Sequence, residues 1–240
     1  MRVAIPASLH DVVAAKLTEQ MPVACAESPS RALAPAAYDR IAELLERVDA
    51  VALGPGLSRD PGAAELARRV VAEAATPVVI DADALSALAG STERIARAPA
   101  PRVLTPHLGE MARLTGVTAE ALEAARIDAP REWARRWNAV VVLKGAPTVV
   151  AAADGDALVN PTGNPGMATA GTGDVLTGVI ASLLAQGVEP LRAAATGAYV
   201  HGRAADVASD APDIVASDLV VALPRTLHEL RNGRDPVETA

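Results

Sequence analysis

The segment Gly163-Asn164-Pro165-Gly166-Met167-Ala168-Thr169-Ala170-Gly171-Thr172-Gly173-Asp174 runs directly into Val175-Leu176-Thr177-Gly178-Val179-Ile180, and its residue types suit phosphate chemistry. Apolar residues at 175, 176, 179, 180, 183 and 184 predict a helix behind the loop. Glycines and small side chains let a backbone approach a ligand closely. The unpaired N–H groups of a helix start, with a partial charge of roughly +0.5, then form an anion hole. Asp174 is out of place there unless it has work to do, because a carboxylate repels a phosphate. It reads as a catalytic base. The alternative is a helix cap, a position that Asp favours. Three glycines among the eight residues before Asp174 are more than a cap alone calls for.

Four other unusual segments each follow a short apolar run. Gly54-Pro55-Gly56 follows Ala50-Val51-Ala52-Leu53, Asp81-Ala82-Asp83 follows Val78-Val79-Ile80, Thr105-Pro106-His107-Leu108-Gly109-Glu110 follows Val103-Leu104, and Lys144-Gly145 follows Val140-Val141-Val142-Leu143. If those runs are parallel strands, all four segments lie at carboxyl ends, the edge of an open sheet where ligands bind. Each is weak alone: Gly-Pro-Gly is a common turn, His107 is as readily a satisfied loop histidine as a ligand contact, and Lys144 could be a solvated edge. Together with the 163–174 loop they describe a phosphate-using site. Lys144 supplies positive charge for a nucleotide, and Asp81, Asp83 or Glu110 could hold Mg2+ through water. His201, among Ala, Tyr and Gly inside a helical pattern, is expected to be structural.

The elements that must position these residues alternate. Strand runs, beginning with Val3-Ala4-Ile5, are separated by helical patterns over 8–19, 63–74, 108–114 and 131–137, with Gly116 as a stop. This predicts an α/β fold with a mostly parallel sheet covered by helices on both faces. Thr148-Val149-Val150-Ala151 and Ala157-Leu158-Val159, joined by Ala152-Ala153-Asp154-Gly155-Asp156, predict an antiparallel hairpin at the sheet edge, near 148–160. Helices are expected over 175–186, 190–208 and 217–231, and the tail from Asn232 is expected to fray.

The 240 residues are half apolar, enough for one large domain. A formal net charge of -7, with no run of Lys or Arg longer than two, argues against a nucleic-acid partner. Cys25 is the single cysteine, which excludes an internal disulfide and a cysteine-based metal cluster. The first residues lack a basic and apolar leader pattern, and no apolar run approaches the roughly 20 residues of a membrane span. A cytoplasmic location and no membrane partner are expected.

Gly54-Pro55-Gly56-Leu57, Asp81-Ala82-Asp83-Ala84-Leu85, Thr105-Pro106-His107-Leu108-Gly109-Glu110, Val142-Leu143-Lys144-Gly145 and the stretch from Asn160 through Gly187 resemble, in order and spacing, the ADP-dependent NAD(P)H-hydrate dehydratases. These are ribokinase-like enzymes that also occur as the carboxyl-terminal half of a bifunctional repair protein. The resemblance runs from Val3 to about Leu230 and is most specific over Gly163–Asp174. It implies a single ribokinase-like domain that restores NADH or NADPH from the hydrate with ADP as phosphoryl donor and Mg2+, releasing AMP and phosphate, in a homo-oligomer of the tetrameric kind. The matching substrate positions are Gly56, His107 and Asp174, with Asp174 the base. Those for the nucleotide are Lys144, Gly145, Ala146, Pro147 and Thr148, with Gly171, Thr172 and Gly173 at the anion hole.

The chain departs from the family pattern at two places. Ser58 stands where members are glycine-rich, which is tolerable if the turn needs no positive φ there. The family's segment ahead of Val3-Ala4-Ile5 is missing, so that run is expected to be an inner strand lacking its partner, with an open edge that favours association. Two other readings stay open: a ribokinase-like kinase of a vitamin-precursor alcohol, and a non-catalytic nucleotide-binding module. The Thr105-Pro106-His107 segment speaks against the first and the intact Asp174 against the second.

Overall fold

The computed structural model describes residues 1–208 and 214–233. The strands are β1 (Arg2–Pro6), β2 (Met21–Cys25), β3 (Val51–Leu53), β4 (Val78–Ile80), β5 (Arg102–Leu104), β6 (Val140–Leu143), β7 (Val149–Ala151) and β8 (Ala157–Val159). The helices are α1 (His10–Ala14), α2 (Tyr38–Leu45), α3 (Pro61–Glu73), α4 (Ala82–Leu88), α5 (Glu93–Ala96), α6 (Leu108–Thr115), α7 (Ala119–Ala124), α8 (Asp128–Trp137), α9 (Thr172–Ala185), α10 (Pro190–Ala208) and α11 (Ala216–Arg231). Most of the expected elements are present. The tail beyond 233 lies outside the described residues.

A six-stranded sheet has the order β3-β4-β5-β6-β7-β8. The first four strands are parallel, and β7 and β8 add antiparallel as the expected edge hairpin. Burial follows the two-residue period of a strand. Ile80, Leu104, Val141 and Leu143 join one cluster with Leu66, Leu85 and Met111 of α3, α4 and α6, whereas Val79, Val103, Val140 and Val142 join Leu176, Ile180 and Ala194 of α9 and α10. Helices therefore cover both faces, and strands buried on both sides read as continuous apolar runs. No helix among the described residues is long and apolar enough to cross a membrane.

Val3-Ala4-Ile5 does not occupy an inner position of this sheet. It lies in β1, which pairs in parallel with β2 in a separate two-stranded sheet. The partner strand, Met21-Pro22-Val23-Ala24-Cys25, escapes a sequence reading because its proline lowers strand propensity. The helix expected over 8–19 is shorter, a turn of 3-10 helix at Ala7–Leu9 followed by α1.

Arg102 pins the amino-terminal side of β5 from within the core, where it is 1% exposed. Its guanidinium donates to the carbonyls of Val71 (2.9 Å), Ala74 (2.6 Å), Thr76 (3.1 Å), Ala100 (2.9 Å) and Pro101 (3.2 Å). Burial lowers its pKa to about 10, which leaves it charged at neutral pH. Only a planar fork can serve so many acceptors. Arg102→Lys is expected to cost about 1–3 kcal/mol in a denaturant titration, since several buried carbonyls lose their donor. A loss below 0.5 kcal/mol, on the order of a neutral surface change, would contradict this reading.

Candidate active site

The parallel order brings the four sequence segments to one sheet edge, and the local contacts explain how each is shaped. After β3, Gly54 (φ 127°) packs against the β4 turn so closely that a Cβ would overlap the Asp81 carbonyl oxygen. Gly56 (φ 68°) faces open space. Ser58 has φ 76°, so the turn does require a positive φ there, contrary to the condition set on the sequence. Local hydrogen bonds offset that strain: the Ser58 N–H donates to Asp83 (3.1 Å), and its hydroxyl accepts from the Asp60 N–H (3.0 Å).

After β4, the Asp81 carboxylate is almost wholly buried, at 1% exposure. One oxygen accepts from Lys144 Nζ at 2.7 Å and the other from the Thr177 hydroxyl of α9 at 2.9 Å. After β5, His107 opens α6 with a reciprocal cap. Its Nδ1 accepts from the Gly109 and Glu110 N–H groups (3.0 and 3.3 Å), and Glu110 Oε2 accepts from the His107 N–H (2.8 Å). Nδ1 is thus the acceptor that closes the cap. The ring stays half exposed while doing this. After β6, the Lys144 N–H donates to the Pro106 carbonyl (2.8 Å), which ties the fourth segment to the third.

These segments meet the start of α9. Gly171, the residue before the helix, is left-handed (φ 88°) and has no capping side chain. Asp174 is the third helical residue rather than the N-cap, so the capping alternative raised by the sequence does not describe it. The Thr172 hydroxyl donates to the carbonyls of Met167 (2.9 Å) and Thr169 (3.0 Å), closing the loop onto the helix. His201 of α10 holds the Thr172 carbonyl through Nε2 at 2.8 Å, and burial pushes its pKa down to about 4. It is neutral at physiological pH and plays the expected structural part. A Cβ on Gly173 would lie 3.3 Å from Lys144 Nζ and 3.6 Å from Asp81 Oδ2, so the buried ion pair sits directly under the helix start. Asp174 stays exposed, and partial desolvation at the helix start together with the nearby Asp81 charge raises its pKa, against the opposing pull of Lys144.

The structure brings Lys144, Gly173, Asp174 and His107 to one edge. In the Lys144–Thr148 segment that the sequence offered for a nucleotide, the Thr148 hydroxyl donates back to the Gly145 carbonyl (3.0 Å). Sequence reasoning missed Thr177 and assigned Asp81 no role beyond a metal option. The three carboxylates offered for Mg2+ are engaged by the protein itself: Asp81 by Lys144 and Thr177, Asp83 by the Ser58 turn, and Glu110 by the α6 cap, with its Oε2 also 3.9 Å from Lys144 Nζ. Among the described residues no cluster of three His, Cys, Asp or Glu side chains is placed to hold a metal. With each carboxylate so engaged, these three residues form no shared cage for an ion.

Comparison with known proteins agrees with the α/β fold. A bifunctional NAD(P)H-hydrate repair enzyme, Nnr, from Moorella thermoacetica is 48% identical over 239 residues, which is 98% of this chain and 44% of that protein. The chain thus spans less than half of that relative's length. The ADP-dependent (S)-NAD(P)H-hydrate dehydratase of Bacillus subtilis is 38% identical, over 77% of this chain and 66% of that one. Among solved structures, the ADP/ATP-dependent NAD(P)H-hydrate dehydratase from Bacillus subtilis, co-crystallised with ATP/Mg2+ and soaked with CoA, aligns with a TM-score of 0.69 and 29% identity, over 95% of this chain and 90% of that one. The family model for NAD(P)H-hydrate dehydratase matches residues 6–225, and the chain belongs to that family.

Proposed function

We propose that this chain catalyses the ADP-dependent dehydration of hydrated NADH or NADPH. The observation that carries the reading is Asp174 in the first turn of α9, above the Lys144–Asp81 pair, with its basicity raised by partial desolvation and by Asp81. A hydroxyl is a poor leaving group, and phosphorylation makes it a good one. Asp174 takes the proton of the ring hydroxyl as that oxygen attacks the terminal phosphorus of ADP, and AMP leaves. The ring nitrogen lone pair then expels phosphate, and loss of a proton from the adjacent ring carbon restores the conjugated dihydronicotinamide. Helix-start amides at Gly171, Thr172 and Gly173, together with Lys144, stabilise charge on the transferring phosphoryl group, where positioning and electrostatics supply most of the catalysis. Gly56 and His107 border the hydrate, and Lys144, Gly145, Ala146, Pro147 and Thr148 the nucleotide. Mg2+ arrives on the phosphates of ADP as part of that substrate.

We further read the chain as one ribokinase-like domain of a cytoplasmic homo-oligomer, a tetramer by family resemblance. Exposed Leu158 and Val159 on the edge strand β8 support association. The test of function is recovery of near-ultraviolet absorbance when the protein, Mg2+ and ADP are added to hydrated NADH. ADP should support turnover and ATP should serve poorly. Faster turnover with ATP would overturn the donor assignment, and a phosphorylated vitamin-precursor alcohol without dehydration would point to a kinase.

A further inference from the structure

Arg126 lies in the connection between α7 and α8 and belongs to none of the sheet-edge segments, yet its side chain reaches the Lys144–Thr148 segment at its first and fourth residues. Nε donates to the Pro147 carbonyl at 2.8 Å and Nη2 to the Lys144 carbonyl at 3.2 Å. Nη1 pairs with Glu123 of α7, which orients the fork. The side chain is 11% exposed, so these contacts are not those of a solvated surface arginine. Gly145 supplies an independent sign that the guanidinium belongs there. A Cβ at that position would overlap Nη2, and its φ of 147° is one that other residues rarely adopt. The segment is thus folded around the fork. A carbonyl held by the fork on each side of Gly145 and Ala146 fixes the peptide planes of the segment, and with them the directions in which its N–H groups point.

We infer that Arg126 is a positioning residue that presets the Lys144–Thr148 segment for a nucleoside diphosphate, acting through the Lys144 and Pro147 carbonyls rather than by touching the nucleotide. This rests on the proposed role of that segment in binding ADP. Preorganisation lowers the ordering cost of binding, so its loss appears in affinity and not in the chemical step. A bidentate fork spans two carbonyls; an ammonium serves one point.

The test is calorimetric titration with ADP and magnesium chloride, alongside steady-state rates. Arg126→Ala is expected to raise the ADP Kd by about 10- to 100-fold, roughly 1.4–2.8 kcal/mol. The kcat at saturating ADP should stay within about threefold, because the effect is on binding. Arg126→Lys should fall between the two, and it carries the test if the alanine variant does not fold. Glu123→Gln keeps both carbonyl contacts and should leave the ADP Kd nearly unchanged. An unchanged Kd in both Arg126 variants overturns the inference while leaving the dehydratase reading intact. A loss in Glu123→Gln equal to that in Arg126→Ala overturns it too, since the ion pair rather than the carbonyl clamp would then act. Absence of ADP binding by the wild-type protein overturns the functional reading and the inference with it.

Discussion

Asp174→Asn is expected to lower kcat by about two to four orders of magnitude, the usual worth of a positioned base. Nucleotide binding should survive and tighten slightly, because a charge that repels phosphate has gone. Stability should hold or rise. Partial desolvation and Asp81 lift the Asp174 pKa, so the folded state disfavours its ionised form, and at neutral pH the charge works against folding. Asparagine removes that charge at little change in shape. The same shift gives the wild type an acid limb: activity falls as pH drops through the raised pKa and the base becomes protonated. That limb should lie above the range of an ordinary aspartate and vanish from the residual activity of the variant. Near-normal turnover by Asp174→Asn would remove the base from the mechanism, and a large loss of melting temperature would make the residue structural instead.

Lys144→Met is expected to damage both folding and function. Asp81 is buried with its charge answered by a single ammonium. Removing one partner of such a pair leaves an uncompensated buried charge, at a cost of about 3–5 kcal/mol. The ADP KM should rise by more than kcat falls, as a cation is withdrawn from beneath the helix start. Adding Asp81→Asn to Lys144→Met should return much of the lost stability without returning activity, because position 81 then carries no charge to compensate, while Glu110, 3.9 Å from Lys144, keeps its bond to the His107 N–H. Denaturant titration and rates on the wild type, both single variants and the double variant complete the cycle. Stability of Lys144→Met equal to wild type would mean that Asp81 finds solvent or another cation. Recovery of activity in the double variant would mean that Lys144 serves only to balance Asp81.

The position of Asp174 gives these expectations their physical basis. An ordinary helix prefers a carboxylate in its first turn, where the dipole lowers the pKa. Here the shift runs the other way, since partial desolvation and Asp81 outweigh the attraction of Lys144. A carboxylate whose proton is held more tightly than usual is what the proposed role as base calls for.

The chain by itself determines the central elements and the edge on which chemistry-bearing residues gather. β4 and β6 are legible as unbroken apolar runs because a parallel strand is buried on both faces, and α6 ends at Gly116, whose φ of 74° suits glycine. The edge hairpin is legible from the Asp-Gly-Asp turn between two short runs. These signals are local: periodicity and turn chemistry are written within a few residues. Only the tertiary structure decides which charges meet. Asp81 finds Lys144 63 residues away and Thr177 96 residues away, separations that carry no pattern along the chain. The same holds for Arg126 and the carbonyls it clamps, for the pairing of β1 with a proline-bearing strand, and for the convergence of Asp81 and Glu110 on Lys144 while Asp83 turns to the Ser58 turn. A carboxylate looks alike in sequence whether it binds a metal, caps a helix or answers a lysine. Its role is set by the donors within about 3 Å, a distance at which a hydrogen bond forms and which exists only after the sheet has brought its strand ends together.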